Sequence, residues 1–160
     1  MKIFLFTTVL FSGLIAGLFY AYSCSVNPGI KLLSNSEYLK AMQSINAAIQ
    51  NPAFFISFMG LLLTFPVITF QYHSANTNSL YLLWIAMILY FIGVFGVTIF
   101  CNVPLNEQLA KFNIQAATSA EILAMRQAVE NPWNTFHTIR TVASVISFAL
   151  MIAFVLKQKL

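Results

Sequence analysis

Four residues near the start of the last apolar segment have side chains and a spacing that suit proton transfer or anion binding. Trp133, His137 and Arg140 follow one another at intervals of four and three residues. This spacing places them on one face of a helix, with Asn134 beside them. A neutral imidazole can accept a proton or a hydrogen bond, and a guanidinium can hold a negative charge. The pattern therefore predicts a functional site on this helix face.

The expected charge states depend on where the helix begins. Asn is a preferred N-cap and Pro is favoured at the first helical position, so Asn131-Pro132 predicts the helix start. His137 then lies about two turns into the helix, with Arg140 about one turn deeper, where the helix dipole disfavours cations. We expect a neutral His137 and an Arg140 that needs an anion, either Glu107, Glu130, or a ligand carboxylate or enolate. The alternative is an Arg140 that reaches the membrane surface beside a packed His137.

Other Asn side chains lie at the same end of the apolar segments. Asn102 and Asn106 follow the third segment, and Asn27 follows the first. Polar groups in a membrane are costly unless they pair or serve a function. The predicted ligand-binding residues are therefore Asn27, Asn102, Asn106, Trp133 and Asn134. Asn51-Pro52, by contrast, is interpreted as a helix cap.

The elements that must position these residues are membrane-spanning helices. The chain is 59% hydrophobic and 8% charged, and it contains no Asp, whereas a soluble domain is about a quarter charged. Apolar segments at residues 3–25, 52–70, 80–100 and 135–156 each suit a span of about 20 residues. We predict an all-α membrane protein, a four-transmembrane-helix bundle, that forms a single domain over residues 1–160.

Two amphipathic helices are predicted between the spans, over residues 36–50 and 118–130. The first has an apolar stripe that begins with Tyr38 and Met42, and the second opens with the capping box Thr118-x-x-Glu121. Each helix is expected to cover the mouth of the bundle or to lie in the membrane interface. The unit of span, amphipathic helix and span thus occurs twice, which predicts a duplicated fold about an axis along the membrane normal.

The basic residues are scattered, although the net charge is +4. No basic stretch exists, so we predict no nucleic-acid partner; the expected partner is the lipid bilayer. Lys2, Lys157 and Lys159 lie close to the spans. Because Lys and Arg near the spans favour the cytoplasmic side, both termini are predicted to be cytoplasmic.

The sequence offers few residues for metal or cofactor chemistry. One His at the site and two Cys do not make a convincing metal-ligand set, and no Gly-rich phosphate loop is present. We therefore expect neither a metal nor a cofactor. Cys24 and Cys101 hold matching places at the ends of the first and third spans. They are either a disulfide, if this side is extracytoplasmic, or two small buried thiols.

Several motifs resemble a family of small four-span membrane proteins that includes the fungal anthrone oxygenases and whose other members mostly have no assigned substrate. They are Gly17-Leu-Phe-Tyr-Ala-Tyr-Ser, Ala41-Met-Gln-Ser-Ile-Asn46, Asn51-Pro-x-Phe54, Asn102-Val-Pro-Leu-Asn106 and Trp133-Asn-x-x-His137-x-x-Arg140. The resemblance implies an oxygenase that needs no metal or flavin, in which a base removes a proton from an activated phenolic substrate and the carbanion reacts with oxygen.

In that mechanism His137 is the base and Arg140 stabilises the enolate. Asn102, Asn106 and Asn134 hold substrate oxygens, and Trp133 stacks on a flat ring. The implied ligand is a lipophilic aromatic or quinone-like molecule at one membrane face. The alternative prediction is a non-enzymatic accessory subunit, as a homo-oligomer or with a partner in a membrane complex.

Overall fold

The spans are confirmed, and each begins and ends at a defined residue. The computed structural model describes residues 2–75 and 78–158. Within them, regular structure is helical throughout, and four helices are long and apolar enough to cross a membrane. The helices are α1 (Lys2–Lys31), α2 (Asn35–Ala48), α3 (Pro52–Ser74), α4 (Leu80–Ala110) and α5 (Ser119–Lys157). The prediction of an all-α, multi-pass membrane bundle is correct; Lys159, used for the orientation prediction, lies outside the described residues.

Side-chain caps define three of the helix starts. Asn51 accepts a hydrogen bond from the N–H of Phe54 at the start of α3, as predicted. The capping box at Thr118 is present and opens α5. A second capping box, which the sequence prediction missed, joins Ser34 to Glu37 at the start of α2. Its hydrogen bonds to Ser34 hold the pKa of the exposed Glu37 carboxyl below its ordinary value.

The predicted helix start at Asn131-Pro132 is wrong. α5 begins at Ser119 and runs through Pro132 without ending, and Asn131 is exposed. The Thr118 capping box already provides the helix start. Pro132 has no N–H to donate to the helix, but the neighbouring turns compensate for the missing hydrogen bond. His137 consequently lies about five turns from the N-terminus of α5, beyond the reach of the dipole at the helix end. The predicted reason for a neutral His137 is therefore not valid.

The four spans form a ring in which each helix packs against two others. α1 packs on α3 and α5, and α4 packs on α5 and, through Leu80–Ile88, on α3. The order around the ring is thus α1, α3, α4 and α5. This order places α1 opposite α4 and α3 opposite α5, which is the arrangement that a two-fold axis along the membrane normal requires. The internal duplication itself stays a prediction.

Two of the spans contain wide, π-helical turns near the predicted site. They cover Tyr22–Val26 in α1, and Leu89–Gly96 and Thr98–Asn102 in α4. α4 then continues as an ordinary helix to Ala110. π-Helical turns inside α-helices are frequent at functional sites because they redirect side chains. Here the turns at Tyr22–Val26 and Thr98–Asn102 lie at the end of the bundle that carries the predicted site.

Helix α2 covers that end of the bundle and is fastened by polar contacts. Gln43 donates through Nε2 to the carbonyl oxygens of Leu109 and Phe112, at 2.8 and 3.0 Å. Buried Tyr38 and Met42 pack against the amphipathic part of α5, as the apolar stripe predicted. α2 is therefore a lid over the bundle, and its underside is free to form one wall of a cavity.

Candidate functional site

A cavity of about 390 Å³ lies beneath α2 at the predicted end of the bundle. All five helices line it, and the surface is mostly apolar and aromatic. A volume in this range suits a small organic ligand. The lining includes Phe19 and Tyr22 of α1, Asn46 of α2, Phe54 and Phe58 of α3, Thr98 and Asn106 of α4, and Trp133, His137 and Arg140 of α5.

Arg140 is buried in the cavity wall, and no acidic side chain in residues 2–75 and 78–158 forms an ion pair with it. It is 7% exposed. Its Nη1 donates to the hydroxyl of Thr98 at 3.3 Å, its Nη2 contacts His137, and its Nε has no hydrogen-bond partner. Its guanidinium carbon lies 4.8 Å from the ring centre of Phe19 and 5.5 Å from that of Trp133. Arg140 is therefore held by neutral groups only.

Neither predicted acidic partner pairs with Arg140. Glu130 forms an ion pair with Arg126 at 2.7 Å, and within residues 2–75 and 78–158 this is the only ion pair. Glu107 lines the cavity but is exposed. The interpretation of Arg140 as a residue that reaches the membrane surface also fails, because the side chain is buried. Of the predicted partners, only a ligand anion is left.

The hydrogen bonds of His137 specify which ring nitrogen carries the proton. Nδ1 lies 3.2 Å from Nη2 of Arg140. A guanidinium can only donate, so Nδ1 must accept and cannot carry a proton. His137 is therefore neutral with its proton on Nε2. Nε2 then donates to the hydroxyl of Ser23 at 3.0 Å, and Thr141 lies nearby at 3.4 Å. The imidazole is neutral as predicted, but the cause is its contact with Arg140.

Trp133 connects His137 to α4. Its ring stacks on the imidazole with centroids 5.1 Å apart, and its Nε1 donates to Oδ1 of Asn106 at 2.8 Å. Asn102 is buried behind it and donates through Nδ2 to the carbonyl oxygen of Trp133 at 3.2 Å. Asn106 thus lines the cavity with its oxygen already engaged, whereas Asn102 supports the helix that carries the site.

The structure brings only some of the predicted residues together. Trp133, His137, Arg140 and Asn106 line the cavity. Asn27, Asn102 and Asn134 do not line it, although Asn134 follows Trp133 in the chain, because helical rotation turns its side chain to another face.

The residues that the sequence prediction missed come from several helices: Tyr22 of α1 and Thr98 of α4 line the cavity, and Ser23 of α1 contacts His137 without lining it. Ser23 and Tyr22 lie on the wide turn of α1, which brings them to His137; the ring centroids of Tyr22 and His137 are 5.2 Å apart. Thr98 holds Arg140 from α4. A small hydroxyl residue in an apolar helix usually bonds to its own backbone. Residue type and spacing therefore did not distinguish Ser23 and Thr98 from the other Ser and Thr residues, although Ser23 ends one of the motifs that carry the family resemblance.

Both cysteines are free. Cys24 is exposed and Cys101 is partly buried, so the structure contains neither the disulfide nor the pair of buried thiols that the sequence allowed. Within the described residues, no three His, Cys, Asp or Glu side chains form a group that could hold a metal ion. The ionisable cavity residues are Tyr22, Glu107, His137 and Arg140.

Comparison with known proteins gives one result. The family described as anthrone oxygenase matches residues 41–150, which is more than two thirds of the chain. The match includes Trp133, His137 and Arg140, and it excludes all of α1, the start of α2 and the end of α5. No curated protein and no solved structure matches the chain. The extent of the family match shows that this membrane protein belongs to the anthrone oxygenase family.

Proposed function

We propose that the chain binds a flat, lipophilic hydroxyaryl ketone of the anthrone type in the cavity beneath α2 and oxygenates it without a cofactor. The observation that carries this proposal is Arg140. A buried cation without a carboxylate is costly, and a ligand oxygen that gains negative charge during the reaction would offset that cost. The aromatic side chains of the lining, such as Phe19 and Phe54, suit the apolar ring system of such a ligand.

The reaction would proceed through the enolate of the ligand. A base removes a proton from the methylene carbon opposite the ketone, and the negative charge moves to the ketone oxygen beside Arg140. The carbanion transfers its electrons to molecular oxygen and forms a carbon–oxygen bond to give a hydroperoxide. Loss of water from the hydroperoxide leaves a second ketone. One anthrone and one oxygen molecule therefore give one quinone and one water.

His137 is the candidate base, and its hydrogen bonds limit how it can act. Its acceptor nitrogen, Nδ1, is occupied by Arg140 Nη2. A ligand oxygen that accepts from Nη2 would release Nδ1 to take the proton. The resulting imidazolium would keep its Nε2 hydrogen bond to Ser23. Binding of the ligand oxygen would therefore activate the base, and proton transfer would depend on Arg140 as well as on His137.

The test is turnover by the purified protein in lipid nanodiscs. A dihydroxyanthrone is supplied with oxygen, quinone formation is followed by absorbance, and oxygen uptake is measured in parallel. We expect one oxygen consumed per quinone formed. Replacing His137 by Gln should remove turnover while the helical content stays unchanged, because Gln keeps polar contacts but cannot act as the base.

His73 provides a matched control, since it is the other histidine of the chain and lies near the far end of α3. His73→Ala should turn over the substrate at the wild-type rate. Wild-type turnover by His137→Gln would refute the role of His137 as base. Quinone formation no faster than in empty nanodiscs would refute the oxygenase function, and the family membership of the chain would then leave its activity open.

A further inference from the structure

The cavity has two rims of different chemistry. Gln50, Glu107 and Ala110 are exposed lining residues near the ends of α2 and α4, and they form a polar rim. Phe55 and Met59 of α3, together with Ile99 of α4, form an apolar rim, and they are 40%, 41% and 37% exposed. The second set belongs to segments that span the membrane. Its exposed surface therefore faces lipid and not water.

The apolar rim exists because α3 and α4 diverge toward this end of the bundle. α3 packs closely on Leu80–Ile88 of α4, whereas the wide turns of α4 pack on α5. Aromatic side chains bridge the gap where it begins to open: Tyr90 donates to the carbonyl oxygen of Phe58 at 2.6 Å, and Phe95 contacts the ring of Phe58. Beyond these rings, the space between the two helices is the cavity itself.

The apolar rim lies at the depth of the hydrocarbon region. Met59 is in the third turn of α3, about 10 Å from its start at 1.5 Å per residue. A bilayer has a hydrocarbon core of about 30 Å, close to the length of α3. Met59 and Ile99, which line the cavity from α3 and α4, therefore border lipid chains and not headgroups.

We propose that the gap between Met59 and Ile99 is a lateral entrance through which apolar ligands pass from the bilayer into the cavity. The inference rests on the proposed function in taking this cavity as the ligand site, but it does not depend on the reaction. It identifies the substrates as molecules dissolved in the membrane. The same route admits molecular oxygen, which partitions into hydrocarbon, and the polar rim serves exchange of protons and water.

Quenching of tryptophan fluorescence tests the entrance without any turnover. The chain has two Trp residues, so Trp84→Phe leaves Trp133, which is 6% exposed and lines the cavity. The protein is placed in lipid vesicles with either brominated naphthalene, which dissolves in the bilayer, or acrylamide, which stays in water. We expect brominated naphthalene to quench Trp133 strongly and acrylamide to quench it weakly.

Variants of the rim identify the route. Ile99→Phe, alone or with Met59→Phe, should remove most of the quenching by brominated naphthalene, because the larger rings narrow the gap. Ile92→Phe is the matched control: Ile92 is 68% exposed on the same helix and does not line the cavity. It should leave the quenching unchanged.

The results that would overturn the lateral entrance differ from those that would refute the oxygenase. Stronger quenching by acrylamide than by brominated naphthalene would overturn it, as would equal quenching in the Ile99→Phe and Ile92→Phe variants. Quenching as expected in a protein that forms no quinone would support the entrance and refute the proposed reaction. Quinone formation by a protein whose Trp133 is not quenched by brominated naphthalene would support the reaction and overturn the entrance.

Discussion

Two arginines on nearly the same face of α5 have opposite environments. Arg126 and Arg140 are separated by almost four helical turns, and each lies over an aromatic ring, 4.4 Å from Tyr38 and 4.8 Å from Phe19 respectively. Arg126 is fully used: it pairs with Glu130 and donates to the carbonyl oxygens of Lys31 and Leu33. Arg140 has only neutral partners and an unpaired Nε.

The difference shows how the same side chain can serve stability in one region and a ligand in another. Around Arg126, the chain supplies every acceptor that the guanidinium needs, so the residue joins α5 to the α1–α2 connection. Around Arg140, the protein leaves the positive charge uncompensated and places it beside a cavity. A buried charge that does not stabilise its own fold is a candidate for function.

The sharpest way to break the comparison is Arg140→Met. We expect kcat/KM for a dihydroxyanthrone to fall by about 10²–10³, the usual cost of removing one group that stabilises a developing oxyanion. Stability should be unchanged or higher, because a well-packed apolar side chain replaces a buried charge. Turnover and thermal unfolding in nanodiscs measure both. A destabilised variant with full activity per folded molecule would show that Arg140 is structural.

The reciprocal substitution, Arg126→Met, should act on stability. It leaves Glu130, whose side chain is 14% exposed, and two backbone carbonyls without their partner. We expect a loss of about 1–3 kcal/mol in the free energy of unfolding, the range for a hydrogen bond to a charged group, and it should come mainly from Glu130, because the two carbonyls are exposed and can bind water. Activity per folded molecule should fall less than in Arg140→Met. If Arg126→Met lost most of its activity per folded molecule and little of its free energy of unfolding, the distinction between the two arginines would be refuted.

Ser23→Ala tests whether the site extends beyond Arg140 to the hydroxyls behind His137. Ser23 accepts the Nε2 hydrogen bond of His137 at 3.0 Å. Loss of a hydrogen bond worth about 1 kcal/mol should lower kcat roughly fivefold, with little change in KM. Ser23→Thr keeps the hydroxyl and should retain most of the activity. A change in KM alone would indicate that Ser23 shapes the cavity instead of supporting the imidazole.

The smallest effect is expected at the lid. Ser34→Ala removes the capping box of α2 and should lower the local stability of this helix by about 1 kcal/mol near neutral pH. Ser34 holds the pKa of Glu37 low, so the contribution of this pair is present at neutral pH and is lost as the pH falls through the folded-state pKa. The difference in hydrogen exchange of α2 between the two proteins should become smaller in acid without disappearing, because the Ser34 hydroxyl still accepts from the N–H of Glu37. A constant difference across the titration would exclude Glu37 as its source.

The sequence predicted the spans well because each is an apolar segment of the length a bilayer requires. It also predicted caps that depend on neighbouring residues, such as Asn51 and Thr118. It failed at Asn131-Pro132, where a local cap signal competed with the stronger capping box at Thr118. Asn51-Pro52 and Asn131-Pro132 look alike in sequence, and only the preceding helix distinguishes them.

The site shows more clearly that local sequence patterns do not predict contacts between helices. Helical spacing alone put Trp133, His137 and Arg140 on one face, and the structure brings all three to the cavity. Spacing along one helix carries no information about the helix that packs against it. The partners of His137 and Arg140, namely Ser23 and Thr98, come from α1 and α4, more than a hundred and about forty residues away along the chain.

The amino-acid sequence by itself determined that this chain spans a membrane four times and carries a histidine and an arginine on one face of the last span. These properties depend on hydrophobicity and on the helical repeat, which are local. Only the tertiary structure decided that Glu130 pairs with Arg126, that Arg140 has no carboxylate, and that Nε2 of His137 carries the proton. Those outcomes depend on which side chains from distant segments share a buried space, because in that space every hydrogen bond must find its partner within the protein or in a ligand.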